Sequence, residues 1–226
     1  RGCLAFILLA VIVCADTANG QYSGGNGDSN NPYLIATPAD LAQIGNSPDD
    51  WDKTFLLTSD IDMSDYNASG SFPIIGYLLW DPYTLKPFKG VFDGNKKRII
   101  NLSILRFAND YTGLFGYVLG KEALIKDLTL VNPKINGLGS MYTGALAGKL
   151  RGGTVTGCGV EGGMVRGTNN VGGLVGYNLN GSITTCTVET AVYGDTGIGG
   201  ITGYHIGNIM QGCGFSGIIS GLSDIG

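Results

Sequence analysis

The stretch that decides the fold is Gly172-Gly173-Leu174-Val175-Gly176-Tyr177, because the chain repeats it in three other places. The related stretches are Thr112-Gly113-Leu114-Phe115-Gly116-Tyr117, Gly144-Ala145-Leu146-Ala147-Gly148-Lys149 and Gly199-Gly200-Ile201-Thr202-Gly203-Tyr204. Their closing glycines fall at positions 116, 148, 176 and 203, so the spacings are 32, 28 and 27 residues. Spacings in this range indicate a repeat architecture such as a solenoid.

A second pattern keeps the same spacing. Ten residues after each of the last three closing glycines stands a cysteine, namely Cys158, Cys186 and Cys213. Further along each repeat an aliphatic residue precedes a glycine by two positions, at Ile135, Val165, Val192 and Ile219. Each period therefore holds three short apolar runs separated by glycine and small polar residues. This pattern predicts short β-strands.

One such strand cannot bury its apolar side alone. Stacking successive periods about 4.8 Å apart pairs equivalent strands in parallel and encloses a shared core. The sequence therefore predicts an all-β fold, a parallel β-helix, and a right-handed one because parallel crossovers almost always have that hand. An α-solenoid is excluded because glycine-rich segments cannot supply its long helical elements. A phosphate-binding loop is disfavoured because no helix pattern follows the glycines.

The glycines of the repeat have two possible structural roles. At the end of a strand, a glycine can supply the positive φ that a corner needs. Facing the core, it can let a neighbouring backbone approach closely. The sequence leaves both roles open.

The Gly-[Gly/Ala]-aliphatic-x-Gly-Tyr unit, followed by an Ile-x-x-Cys-x-Val strand, resembles the GLUG repeat of bacterial secreted and surface proteins. The resemblance covers residues 107–226 in four copies. The first copy lacks the cysteine and has two extra residues around Lys121, and the second has Ala145 for glycine and Lys149 for tyrosine. The resemblance implies a β-solenoid of adhesin-like or large extracellular proteins. It supplies no catalytic residues.

Residues 1–20 are expected to be a secretory signal peptide. Arg1 precedes an apolar run of ten residues, Leu4–Val13, which small and polar residues follow. This order is typical of a leader, and cleavage is expected after Ala15 or Gly20. The protein is therefore expected to be exported, to the extracellular space or the cell surface.

Residues 21–106 have no repeat of their own. They predict an N-terminal cap and the first irregular coils, because the open end of a solenoid exposes strand edges and apolar core. Residues 107–226 hold the four repeats, and residues 223–226 resemble the opening of a fifth.

Within the cap, Thr37 and Pro38 predict the start of a short helix with Asp40 at its third position, and Gly45 is expected to end it. Asp93-Gly94-Asn95 predicts a turn. Strands are expected at 32–35, 55–58, 61–63, 72–75 and 99–104.

Composition narrows the function classes. The chain of 226 residues has 39 glycines, 14% charged residues and a net charge of −4. Because it carries no basic patch, nucleic acid is not an expected partner. No apolar run reaches the roughly 18–20 residues of a membrane span.

The cysteines are expected to form an interior column. Once the leader is removed, the three repeat cysteines remain, an odd number that argues against a disulfide framework. No Cys-x-x-Cys pair accompanies them, so a metal–thiolate site is not expected.

The acidic residues form two groups in the cap, one of Asp49, Asp50 and Asp52 and one of Asp60, Asp62 and Asp65. Such oxygen ligands suit calcium. However, Asp60 and Asp62 are two apart on an expected strand, which favours a solvated face. A calcium site stays open as the alternative.

Candidates for catalysis are few. Glu161 and Glu189 are expected to stack on the outside with mild mutual repulsion, and His205, the sole histidine, is expected in a turn where Asn178 lies one coil earlier. The sequence gives no reason to place any serine or cysteine beside both a histidine and a carboxylate, so a catalytic triad is not expected. The sequence therefore predicts no catalytic, cofactor-binding or metal-binding residues.

Aromatic side chains suggest a possible glycan surface. Tyr117, Tyr177 and Tyr204 recur in the repeats, and a second cluster is expected in the cap at Trp51, Tyr77, Trp80 and Tyr83. They could bind sugar faces, although packing over turns and sealing of the cap is favoured.

Three hypotheses follow. The favoured one is an exported, non-enzymatic β-solenoid that serves as surface stalk, adhesin or binding module for surface glycans or other extracellular proteins. The alternatives are a polysaccharide-active β-helix enzyme, by analogy of fold alone, and a spacer attached to an effector domain outside this sequence. An enzyme should show acids or bases that converge in one groove.

Overall fold

The computed structural model describes residues 21–66, 72–76, 86–107 and 110–226. In chain order its strands are β1 Tyr33–Ile35, β2 Thr54–Leu57, β3 Ile61–Asp62, β4 Val91–Ile100, β5 Ser103–Phe107, β6 Tyr111–Thr112, β7 Phe115–Leu119, β8 Leu124–Val131, β9 Lys134–Leu138, β10 Tyr142–Gly144, β11 Ala147–Arg151, β12 Thr154–Thr156, β13 Gly159–Gly167, β14 Asn169–Gly172, β15 Val175–Leu179, β16 Ser182–Thr184, β17 Thr187–Tyr193, β18 Thr196–Gly199, β19 Thr202–Ile206, β20 Met210–Gln211, β21 Gly214–Ser220 and β22 Ser223–Ile225. Helix α1, Pro38–Asn46, and a 3-10 helix, Pro48–Asp50, precede β2.

The strands form three sheets that run along one solenoid. The largest sheet contains β1-β2-β4-β8-β12-β16-β20, with β3, β5, β9, β13, β17 and β21 beside them. The second is β6-β10-β14-β18-β22 and the third is β7-β11-β15-β19. Phe115, Ala147, Val175 and Thr202 lie one above another in the third sheet, all in parallel pairing. The predicted parallel β-helix and its spacings of 32, 28 and 27 residues are therefore confirmed.

The core consists of columns of apolar side chains, one member from each coil. Ile125, Val155 and Ile183 form one such column and are fully buried. A second column contains Leu130, Val160 and Val188. Each buried aliphatic side chain contributes about 1.5–3 kcal/mol, so the columns hold successive coils in register.

The motif glycines mainly permit close approach of backbones. A Cβ on Gly176 would lie 2.5 Å from the amide nitrogen of Thr143 and 2.7 Å from the carbonyl oxygen of Gly148. Corner glycines such as Gly153 and Gly157 instead adopt positive φ, at 78° and 62°. Both expected roles therefore occur, at different positions of the coil.

Helix α1 begins as predicted. The Thr37 hydroxyl accepts a hydrogen bond from the Asp40 amide, and the Asp40 carboxylate accepts one from the Thr37 amide, which completes a capping box. The helix continues one residue past Gly45. That glycine does not end the helix but allows close contact, since a Cβ there would lie 2.0 Å from the carbonyl oxygen of Pro73.

Two local predictions are wrong. The segment around Asp93-Gly94-Asn95 does not reverse the chain: it lies inside β4, whose register with β8 shifts between Asp93 and Lys97. Asn95 adopts the positive φ of the predicted turn, at 50°, yet parallel neighbours on both sides keep the strand direction. The expected strand at 72–75 is reduced to one bridge between Ile75 and Phe115, because Pro73 has no N–H to donate.

Some expectations fall on other parts of the chain. The predicted leader at 1–20 and the aromatic residues Tyr77, Trp80 and Tyr83 lie outside the described residues. Within the described ranges, no helix is long and apolar enough to cross a membrane.

Candidate functional site

A partly buried ladder of tyrosines lies at the corner between the second and third sheets. Tyr111 and Tyr142 belong to the second sheet, and Tyr117, Tyr177 and Tyr204 belong to the third. Neighbouring ring centroids lie 4.8–5.6 Å apart. We call these five residues the tyrosine ladder.

Lys149 fills the gap that its own repeat leaves in the tyrosine ladder. In register it lies between Tyr117 and Tyr177. Its Nζ lies 5.3–5.7 Å from the ring centroids of four tyrosines, and Tyr111 and Tyr142 complete this set. Cation–π attraction to tyrosine faces contributes about 0.5–2 kcal/mol, more when water is excluded. The lysine therefore replaces a ring with a cation without breaking the column.

The electrostatics of the ladder reflect partial burial. Burial, followed by the charge of Asp110, raises the pKa of Tyr111 to about 12. Burial and then the like charge of Arg151 lower the pKa of Lys149, and Asp110 opposes this shift. The Tyr111 hydroxyl therefore stays protonated at neutral pH.

Ring orientation limits what the ladder can bind. Tyr177 and Tyr204 stack at 5.1 Å with an interplanar angle of 12°, and Tyr111 stacks on both Tyr117 and Tyr142. Ring faces that already contact each other cannot also stack on sugars. Tyr204, 45% exposed, is the most accessible member. The geometry favours the packing interpretation over a sugar platform.

The sequence analysis missed Tyr111 and Tyr142. The signal was present, because each tyrosine stands two residues before the first glycine of its repeat. Seven positions separate Tyr142 from Lys149, and the two lie on different sheets, so only the corner geometry brings them together.

The prediction that His205 lies in a turn is wrong. His205 belongs to β19 and Asn178 to β15, and the two are in register. Asn178 is fully buried, in the column that Val118 and Leu150 occupy in earlier coils. His205 thus pairs with a buried amide and, among the described residues, contacts no carboxylate that could orient it as a base.

Glu161 and Glu189 stack in register as predicted and line one surface cavity of about 360 Å³. The expected repulsion is relieved, because Arg98 forms an ion pair with Glu161. The arginine is 63 positions away in sequence, so the repeat pattern could not reveal it. The two acids lie side by side on neighbouring strands, and Glu161 is paired with Arg98.

The cap acids serve as local hydrogen-bond acceptors. Asp62 accepts from the amide and hydroxyl of Ser64 and from Asn101, and these bonds lower its pKa. Asp60 accepts from the Arg98 amide. In the part of the chain that the structure describes, no three His, Cys, Asp or Glu side chains group as metal ligands.

Trp51 belongs to the interior of the cap. Its side chain is 3% exposed, and its indole N–H donates to the carbonyl oxygen of Ile44 at 2.7 Å. This supports the prediction that it seals the cap. Nearby, Lys86 pairs with Asp49 at 2.7 Å.

The repeat cysteines form the predicted interior column as free thiols. Cys158 and Cys186 are buried, and Cys213 is half-buried. Each thiol donates to backbone carbonyls, for example Cys186 to Thr184 at 3.2 Å. Contact with Cys186, followed by burial, raises the pKa of Cys158 well above its ordinary value.

These features define a parallel β-solenoid whose outward and inward side chains both stack coil on coil. Residues 167–193 match the model of the GLUG motif. The chain is therefore a β-solenoid that carries the GLUG motif.

Two curated relatives extend the comparison. Halomucin of Haloquadratum walsbyi is 35% identical over 168 residues, which cover 71% of this chain and 2% of halomucin. A protein of Evansella cellulosilytica provisionally named a Gly-rich membrane protein is 31% identical over 218 residues, covering 80% of this chain and 24% of that protein. The chain thus spans a quarter or less of the curated relatives it matches.

A solved structure shares the fold. It is the 1.30 Å crystal structure of a Bacteroides ovatus protein provisionally named an immunoglobulin A1 protease. The TM-score is 0.58 with 19% identity, over 90% of this chain and 71% of that one. At this identity the likeness supports the architecture alone.

Proposed function

We propose that this chain is an exported, non-enzymatic β-solenoid that acts as a stalk, adhesin or binding module at the cell surface. The observation that carries the proposal is the register of outward positions: residues on the outer face of one coil lie directly above those of the coil before, as Tyr177 and Tyr204 do. Such a surface is long, regular and suited to spacing or to repeated contacts. The names of the two curated relatives, halomucin and a Gly-rich membrane protein, support a surface location.

The proposal includes a division of labour along the chain. Residues 1–20 direct export, residues 21–106 cap the solenoid, and residues 107–226 supply the repeated surface. Leu41 and Ile44 of helix α1, which are fully buried, and Trp51 support a cap role for the first part, because they close apolar core that would otherwise meet water.

A polysaccharide-active enzyme is the alternative, and the cavity beside Glu161 and Glu189 is the observation in its favour. Glycoside hydrolysis needs two carboxyl groups on opposite sides of the scissile bond, about 5–9.5 Å apart. Two acids stacked on one column, one of them paired with Arg98, fit this requirement poorly.

The proposal is tested by export and by activity. Expressed in a bacterial host, the chain should leave the cytoplasm, and cell fractionation should recover it from the cell surface or the medium. Incubation with neutral and acidic polysaccharides should release no new reducing ends and no unsaturated products. Cleavage that the Glu161→Gln, Glu189→Gln double variant abolishes would establish the enzyme instead.

A further inference from the structure

A groove crosses four successive coils on the outward face of the largest sheet. Its volume is about 460 Å³, within the roughly 300–1,000 Å³ typical of small-molecule sites. The side chains that matter here are Met164, Arg166, Tyr193, Asp195, Ser220 and Leu222. The groove therefore combines an aromatic ring, a cation, an acid and apolar edges.

The register explains why these groups meet. Arg166, Tyr193 and Ser220 lie directly above one another on β13, β17 and β21. Asp195 follows Tyr193 by two residues, at the corner where the chain leaves for the second sheet. Glycines 167, 194 and 221 also line the groove, so its bottom is backbone and the side chains form its walls.

Arg166 is a cation without a partner in the described part of the chain. It is exposed and takes part in no ion pair there, and the same holds for Asp195. Lys134, one coil earlier in the column of Met164, is also exposed and forms no ion pair with a described residue. Lys134 lines a neighbouring cavity of about 400 Å³. Two uncompensated cations thus follow one face of a chain whose net charge is −4.

We propose that this groove binds an anionic glycan, a saccharide that carries a carboxylate or sulfate group. The planar guanidinium of Arg166 matches either anion with two parallel hydrogen bonds. Tyr193 offers an apolar ring with a polar tip, which suits a sugar face bordered by hydroxyls. Asp195 accepts from sugar hydroxyls and Ser220 exchanges hydrogen bonds with them, while Lys134 attracts the next charged unit of a polymer.

The inference rests on the proposed surface role and names the ligand class of that role. The full chain is tested by affinity electrophoresis against two matched pairs of polymers. Dextran sulfate and dextran differ only in sulfate, and polygalacturonate and its methyl ester differ only in free carboxylate. The chain should bind at least one charged member and neither neutral member. Binding to polygalacturonate assigns a carboxylate, and binding to dextran sulfate assigns a sulfate.

Three variants locate the site. Arg166→Ala should weaken binding about tenfold, the size expected for loss of a charge-assisted bidentate contact. Tyr193→Ala should weaken it several-fold through loss of ring contact. Arg151→Ala is the matched control, since Arg151 is an exposed arginine on another sheet, and binding should stay within about twofold of the parent chain because the Debye length is near 8 Å.

Several results would overturn the inference. One is equal binding of charged and neutral polymers, and another is no binding to any of them. A third is equal loss in Arg166→Ala and Arg151→Ala, which would indicate unspecific charge attraction. Circular dichroism of each variant confirms that the coils stay folded. None of these results bears on export or on recovery at the cell surface, so failure here is separable from failure of the proposed surface role.

Discussion

The side-chain amide of Asn178 hydrogen-bonds to Nδ1 of His205, one coil further along, across 2.9 Å. The same amide is held by Gly181, whose carbonyl accepts from Nδ2 at 2.9 Å and whose N–H donates to Oδ1 at 3.0 Å. These two bonds fix the orientation of the amide, so Nδ2 must be the group that faces the histidine. Nδ1 of His205 therefore accepts this hydrogen bond, and the proton of the neutral imidazole ring lies on Nε2.

The first prediction concerns this tautomer. Nitrogen-15 NMR of the imidazole should show the Nε2–H form when His205 is neutral. In Asn178→Asp the facing group becomes an acceptor, which should favour a proton on Nδ1. Finding the Nδ1–H form in the unmodified chain would contradict the bonding described here.

The second prediction concerns Lys149 and the tyrosine ladder. Lys149→Met removes the cation and should lower the free energy of unfolding by about 1 kcal/mol, through loss of the cation–π contacts. Lys149→Tyr restores the residue found in the other three repeats. It should keep or raise stability, because ring–ring contacts with the surrounding tyrosines replace the cation–π contacts. Urea unfolding measures both. Equal losses in the two variants would show that the four tyrosines around position 149 accommodate neither side chain.

The third prediction concerns pH and Asp40. Burial raises the pKa of this carboxyl, but hydrogen bonds from Ser23, the Ala36 amide and Thr37 outweigh burial and hold the pKa below its ordinary value. A depressed folded pKa means that the carboxylate stabilises the fold above about pH 4 and that this contribution is lost as pH falls through the folded value.

Asp40→Asn should therefore cost about 1–2 kcal/mol at pH 7, the usual size for loss of such a cap. The difference from the parent chain should shrink steadily below about pH 4. Thermal unfolding at several pH values measures it. A difference that stays constant with pH would show that the charge contributes nothing.

The fourth prediction tests the role of the motif glycine. Gly176→Ala places a methyl 2.5 Å from the Thr143 nitrogen, so successive coils must separate, and the loss should exceed about 3 kcal/mol. Gly214→Ala is the control, because its Cβ meets nothing within 4 Å and its backbone is not left-handed. Its stability should change by less than about 0.5 kcal/mol. Similar losses at both sites would exclude close approach as the cause.

The fifth prediction concerns the cysteine column. A thiol reagent in excess should label Cys213 first, because it is half-buried, whereas Cys158 and Cys186 should react only when the coils open. Burial raises the pKa of Cys213, so even this reaction should be slow at neutral pH. Mass spectrometry of labelled peptides gives the order. Earlier labelling of Cys158 would contradict the described burial.

The sequence predicted the features that follow from the repeat spacing, namely the strands and their stacking. Apolar residues two apart defined the strands, and the spacings of 28 and 27 residues between Cys158, Cys186 and Cys213 defined the stacking. The sequence could not predict contacts across a corner, because these contacts depend on the angle between two sheets, which the packing of several coils determines. This is why the contacts of Tyr111 and Tyr142 with Lys149 were missed.

Polar residues inside strands were the other source of error. Asn178 and His205 are polar residues of the kind expected in turns. Only their register with the buried Val118 and Leu150 of earlier coils shows that they belong to strands. Likewise, Asp93-Gly94-Asn95 has turn chemistry, but a hairpin there would break the parallel pairing that earlier and later strands impose.

Lys149 shows how mutations interact in this architecture. The residues that accommodate an altered position are found roughly 27–32 places away, in the neighbouring coils, or across a corner, and seldom next to it in the chain. Compensating changes during evolution should therefore occur at stacked positions of neighbouring coils. Each repeat can diverge in sequence only as far as its contacts with the adjacent coils permit.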